Sequence, residues 1–139
     1  MNSKLFFIIL LFLSGAVIFG LTVKPKQKIA AIIPTLSSQA RNMGAVEVEI
    51  KPISVMPGKN VAFEISLNTH SVELNYDYTQ IATLTDDRGN SYKPTKWTGG
   101  NSGHHVKGEL LFAALPKNPK ELTLTLEGVD NRVEVFVWQ

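Results

Sequence analysis

From Ala45 onward the chain is written with a period of two. Val46, Val48 and Ile50 alternate with Glu47, Glu49 and Lys51, and Val61, Phe63, Ile65 and Leu67 alternate with Ala62, Glu64 and Ser66. Successive side chains of an extended strand point to opposite faces, so this pattern reads as half-buried β-strands with one apolar and one wet face. No segment after Gly44 carries a sustained helical repeat. Between the first two strands, Met56-Pro57-Gly58-Lys59 supplies a proline whose fixed φ suits a turn, with glycine beside it. Further strands are expected at 80–85, 91–97, 108–113, 122–127 and 133–138, separated by stretches dense in Gly, Asp, Asn, Pro and Ser.

About seven short strands, roughly 8–12 residues apart, suit an all-β fold. An immunoglobulin-like antiparallel β-sandwich fits this spacing better than a barrel. Its core is expected from Val48, Ile50, Phe63, Ile65, Leu84, Leu110, Phe112, Leu122, Leu124, Leu126, Val135 and Val137. At 139 residues the chain has room for one such domain. With no cysteine, burial has to hold it together. The same absence excludes disulfide frameworks, thiolate metal sites, thiol nucleophiles and an acylated lipoprotein anchor.

The part before this domain has another character. Residues 5–23, LFFIILLFLSGAVIFGLTV, contain no charge and at ~1.5 Å per residue are long enough to cross a bilayer core. A secretory signal peptide has a similar apolar run, but small residues in cleavage spacing, such as Ser14 with Ala16, fall inside the run. The reading is therefore an N-terminal membrane anchor over 1–23, with a cleaved signal as the alternative, a spacer over 24–44 with a short helix after Pro34, and the β-domain over 45–139. A literal count of Lys24, Lys26 and Lys28 against Lys4 would leave the domain cytoplasmic. The short basic start of an export anchor, followed by a β-domain, places it instead on the extracytoplasmic side of a single-pass protein.

Charge separates along the same boundary. None of the twelve acidic residues and five of the fourteen basic ones precede Ala45, so the first 44 residues carry +5 and the domain −3. A nucleic-acid partner is excluded on this ground, because a phosphate-tracking surface needs its lysines and arginines on the folded part. The expected partners are the membrane, through the N-terminal helix, and a protein of the cell envelope.

All three histidines fall outside the strongest strand patterns, His70 in Asn68-Thr69-His70-Ser71 and the others in Gly99-Gly100-Asn101-Ser102-Gly103-His104-His105. If 71–79 is an irregular connection, strand parity brings both loops to one end of the sandwich, together with 128–131; if 72–76 is a strand, parity separates them. Should they meet, His70, His104 and His105, with Asp77 or Asp130 nearby, form a candidate site for Zn or Cu, since neutral imidazole suits both ions. Adjacent histidines on an extended segment point to opposite faces, which counts against a shared ion for His104 and His105. The alternative is that the imidazoles only brace the loops. Ser71 beside His70 and Ser102 near His104 lack any nucleophile-elbow frame, so catalysis is not expected. Asp86-Asp87-Arg88-Gly89-Asn90 reads as a solvated hairpin tip.

The succession Asn68-Thr69-His70-Ser71-Val72-Glu73-Leu74, Tyr92-Lys93-Pro94, Trp97-Thr98-Gly99, Gly103-His104-His105 and Gly108-Glu109-Leu110-Leu111-Phe112 resembles an uncharacterised group of prokaryotic exported or membrane-anchored β-sandwich domains. These share a THS … WxG … GHHxxGxLxF layout. The resemblance implies an exported β-domain in which the Thr-His-Ser and Gly-His-His segments belong to one pattern, and it implies no activity. Together these readings lead to an extracytoplasmic binding module that is not an enzyme, with a divalent metal at its histidine end. The alternative is a structural or protein-interaction domain of the envelope without metal.

Overall fold

The computed structural model describes residues 36–139. The expected membrane span and most of the expected spacer lie outside them, and among the described residues no helix is long and apolar enough to cross a membrane. In chain order the elements are β1 (Gln39–Met43), β2 (Val46–Ser54), β3 (Val61–Asn68), a single helical turn α1 (Tyr78–Ile81), β4 (Ala82–Asp86), β5 (Ser91–Tyr92), β6 (Lys96–Trp97), β7 (His105–Phe112), β8 (Leu122–Val129) and β9 (Arg132–Trp138).

These strands form two antiparallel sheets, one ordered β1-β2-β3-β7-β6 and the other β5-β4-β8-β9. The fold is all-β and sandwich-like, as the alternation requires. The sheets meet over a shared core in which Phe63 of β3 lies 5.1 Å, ring centre to ring centre, from Trp138 of β9 and 6.1 Å from Phe112 of β7. Ten of the twelve expected core residues are buried, from Val48 through Leu126.

The other two, Val135 and Val137, are corrections. They are 46% and 41% exposed, as is Val133 at 60%, while Phe136 and Trp138 face the core. In Arg-Val-Glu-Val-Phe-Val-Trp one parity holds three valines and the other holds Phe136 and Trp138 after Arg132 and Glu134, so both parities carry apolar residues and alternation alone leaves the inward face open. The aromatic parity wins because each large ring removes more apolar area from water than a valine does. The outer face of this sheet is consequently rich in β-branched residues. Val137 pairs with Thr123 and Val135 with Thr125, which in turn oppose Thr85 and Thr83.

Strand boundaries also shift. Gln39–Met43, expected as the end of the spacer, is an edge strand folded back on β2 through the Gly44-Ala45 turn. Only Met43 of that strand is fully buried, which is why so polar a stretch carries no strand pattern. The expected strand at 80–85 begins with α1, and the one at 91–97 breaks at Pro94, sending β5 to one sheet and β6 to the other. Proline cannot donate to a ladder, so a crossing between sheets is a suitable place for it.

Side chains close the sheet edges. Gln39 Nε2 donates to the Val137 carbonyl at 2.6 Å, and Trp138 Nε1 to the Ser37 carbonyl at 2.7 Å, tying β1 along β9. On the other side Lys93 Nζ donates to the carbonyls of Gln80 and Ala82, at 2.8 and 3.1 Å. Lysine at an exposed strand edge discourages pairing with another chain.

Candidate functional site

The strand order brings four connections to one end of the molecule: the β1–β2 turn, the 69–77 segment after β3, the 98–104 loop before β7, and the Asp130-Asn131 turn between β8 and β9. The 71–79 stretch holds no strand, so the parity that unites the histidine loops is the one realised. Asp130 and Asn131 both take positive φ, 44° and 56°, as a two-residue hairpin turn of the primed type demands.

Backbone and side-chain bonds sew these connections together. Thr69 N donates to the His104 carbonyl and Leu74 N to the Gly103 carbonyl, both at 3.0 Å. The Glu73 carboxylate accepts from Gly103 N, and Thr69 Oγ1 donates to the Ala45 carbonyl at 2.9 Å. Asp130 Oδ2 accepts from Ala45 N at 2.8 Å, while Asp130 N donates to the Tyr76 hydroxyl at 3.0 Å. Gly44, with φ +63°, sits where any side chain would collide with the Asp130 carboxylate. Beneath the loops Tyr78 is buried and stacks on Trp97 at 4.5 Å. Burial, with Tyr76 nearby, pushes its phenol up to about 12, so it remains a neutral donor, directed to the Leu74 carbonyl at 3.3 Å.

On this framework the His70 and His105 rings stand edge to face, centres 6.4 Å apart and planes at 83°. His105, expected in a loop, is the first residue of β7 and pairs with Asn68. Its Nδ1 lies 3.0 Å from Asn68 Oδ1. An amide oxygen only accepts, so Nδ1 is the donor in this contact, and in the neutral ring Nε2 is then the acceptor. Register continues the row: Asn68 opposes Glu47, and Glu47 opposes Asn42. These residues, with Thr69 and His70, line an open cleft of about 300 Å³ above the β1–β2 turn.

The four residues expected to hold a metal are not all brought together. Among the described residues no three His, Asp or Glu side chains are grouped closely enough to hold an ion. His104 contributes its backbone carbonyl to Thr69 and does not line the cleft that His70 and His105 share. Asp77 is the N-cap of α1, its Oδ1 accepting from Thr79 Oγ1 at 2.6 Å and Thr79 N at 3.0 Å. Those bonds, the hydroxyl one foremost, hold its carboxyl below the ordinary value. Asn42, Glu47 and Asn68 were not singled out from the sequence. Each looks there like an ordinary wet-face residue, and only strand pairing aligns them.

Trp97, Gly99 and Gly108 have a packing role. A Cβ on Gly99 would overlap the Trp97 indole and the Lys107 carbonyl, and one on Gly108 would overlap the Gly99 backbone. Trp97 Nε1 donates to the Gly100 carbonyl at 2.9 Å.

No family model matches the chain, and no curated protein matches it. Among solved structures, a DUF4426 family protein from Pseudomonas aeruginosa PAO1 is similar at a TM-score of 0.43 and 7% identity, over 72% of this chain and 90% of that one.

Proposed function

We propose that the chain is a membrane-anchored, extracytoplasmic binding module that performs no catalysis and recognises its ligand through the loop end bearing His70 and His105. The observation that carries this reading is the convergence of mutually bonded connections at one end, where the β1–β2 turn and the start of the 69–77 segment line an open cleft together with His105. Without β1, the order β2-β3-β7-β6 against β5-β4-β8-β9 corresponds to A-B-E-D against C′-C-F-G of immunoglobulin-like sandwiches. His70 then lies on the B–C connection, His105 at the end of D–E, and Asp130 on F–G. By fold analogy, variable domains present B–C and F–G at the end that binds. The apolar run at 5–23, the +5 leader and the resemblance to exported domains support the anchor and the location.

The uncharged Val133, Val135 and Val137 ridge, beside Thr123 and Thr125, favours a second reading, a protein-interaction domain of the envelope. One set of variants separates the two. The chain has no cysteine, so Ser102→Cys gives a single thiol at the loop end. In intact cells a membrane-impermeant maleimide labels it; protection until the membrane is opened would overturn the extracytoplasmic placement. A photo-crosslinking residue at position 102 captures the ligand, whereas one at Lys117, at the opposite end, does not. Capture from position 135 instead of 102 would overturn the loop-end reading in favour of the second.

A further inference from the structure

We propose that His70 and His105 together hold one divalent transition-metal ion of the Cu(II) or Zn(II) class through their Nε2 atoms, in a site that leaves its remaining coordination positions open. The inference rests on reading the loop end as the recognition end and names what binds there. It departs from a three-histidine cage, because His104 and Asp77 take no part.

Two independent features point to it. First, His70 and His105 come from different segments, the connection after β3 and the start of β7, yet are neighbours in the lining of one cleft. With metal–nitrogen bonds of about 2.0–2.1 Å and a near-tetrahedral angle, two chelating imidazoles have ring centres about 5 Å apart. The observed 6.4 Å closes to that by a side-chain rotation of His70, which is exposed and follows the end of β3. Second, His105 is already oriented as a ligand. Donation of Nδ1–H to Asn68 Oδ1 at 3.0 Å selects, in the neutral ring, the tautomer that leaves Nε2 available as a ligand, the outer-shell arrangement that metal-binding histidines share. Asn68 is itself held in the β-ladder between β2 and β7, so it is a positioning residue set by the fold.

Donor chemistry narrows the ion. Imidazole suits copper and zinc, and the absence of cysteine leaves no thiolate to select softer ions. Glu47 lines the same cleft but stands two strands from His105, at roughly 4.8 Å per strand, and brings negative potential without being a ligand. A site with only two protein donors completes its shell with water or with donor atoms of a bound partner. Such a metal would serve recognition as a bridge.

The test is calorimetric titration of the untagged, detergent-solubilised full chain with CuCl2 and ZnCl2 in a non-coordinating buffer, with electron paramagnetic resonance of the copper form. One saturable event per chain is expected, with nitrogen hyperfine structure from two imidazoles. His70→Gln or His105→Gln should abolish it, His104→Gln and Asp77→Asn should leave it, and Asn68→Ala should weaken it about 10–100-fold. Circular dichroism of each variant separates lost binding from lost folding. The proposal is overturned if a folded wild-type chain gives no saturable event, if the event survives either His70→Gln or His105→Gln, or if His104→Gln removes it. Crosslinking from position 102 in metal-depleted cells keeps the two readings distinguishable: capture there with no metal event sinks the metal and leaves the recognition end standing.

Discussion

Asp86 shows how much one side chain holds in this domain. At the β4–β5 tip its carboxylate accepts from Arg88 N and Asn90 N, both at 2.9 Å, from the Asn90 amide, and from the Tyr92 hydroxyl at 3.0 Å, while the residue is only 6% exposed. These bonds, the Asn90 side chain first, favour the ionised form and bring its pKa down from 3.8 to about 2. The unfolded chain therefore binds a proton at higher pH than the folded one. The resulting stability is fully present above about pH 4 and is lost as pH falls through about 2. Thermal midpoints of wild type should drop between pH 4 and 2, and Asp86→Asn should lack that component; parallel pH profiles would contradict it. The sequence marks the tip correctly as a turn, but which of the paired aspartates turns inward depends on Asn90 and Tyr92 closing over it. Asp87 stays exposed and accepts from Lys120 N at 3.2 Å.

At the scale of elements, β9 is the sharpest case. Its inward face is Phe136 and Trp138, so Phe136→Ala should cost about 3–5 kcal/mol. Val135→Thr, on the exposed side, should stay within about 0.5 kcal/mol of wild type. Chemical denaturation followed by tryptophan fluorescence measures both, and equal losses would return Val135 to the core. Strands with one polar parity, β2 and β3, are legible from sequence because the partition of side chains between water and core is written into every second residue. Strands carrying apolar residues on both parities are not, nor is β1, which buries a single methionine fully. The candidate site divides in the same manner. His70 and His105 are visible as unusual residues in turn-rich segments. Asn68 as the partner of His105, and Glu47 beyond it, follow from register, which is a property of two chain segments rather than one.

For the whole molecule, the domain starts before the change in sequence period. A chain beginning at residue 36 keeps β1, whereas one beginning at Ala45 loses Met43 from the core and the Gln39 and Ser37 ties to β9. The shorter form should be less stable by about 2–5 kcal/mol, the range for deleting one buried side chain of that size. It should also self-associate through the bared edge of β2, which sedimentation would detect. Equal stability and a monomeric short form would make β1 dispensable. The place of β7 in its sheet has a consequence in time. β3 is complete at Asn68, yet its second neighbour begins only at His105, 37 residues later. At synthesis rates of about 5–20 residues per second, the strand carrying Phe63 and Ile65 waits roughly 2–7 s with one side unpaired. During that interval it is a ready template for the β3 of a neighbouring nascent chain.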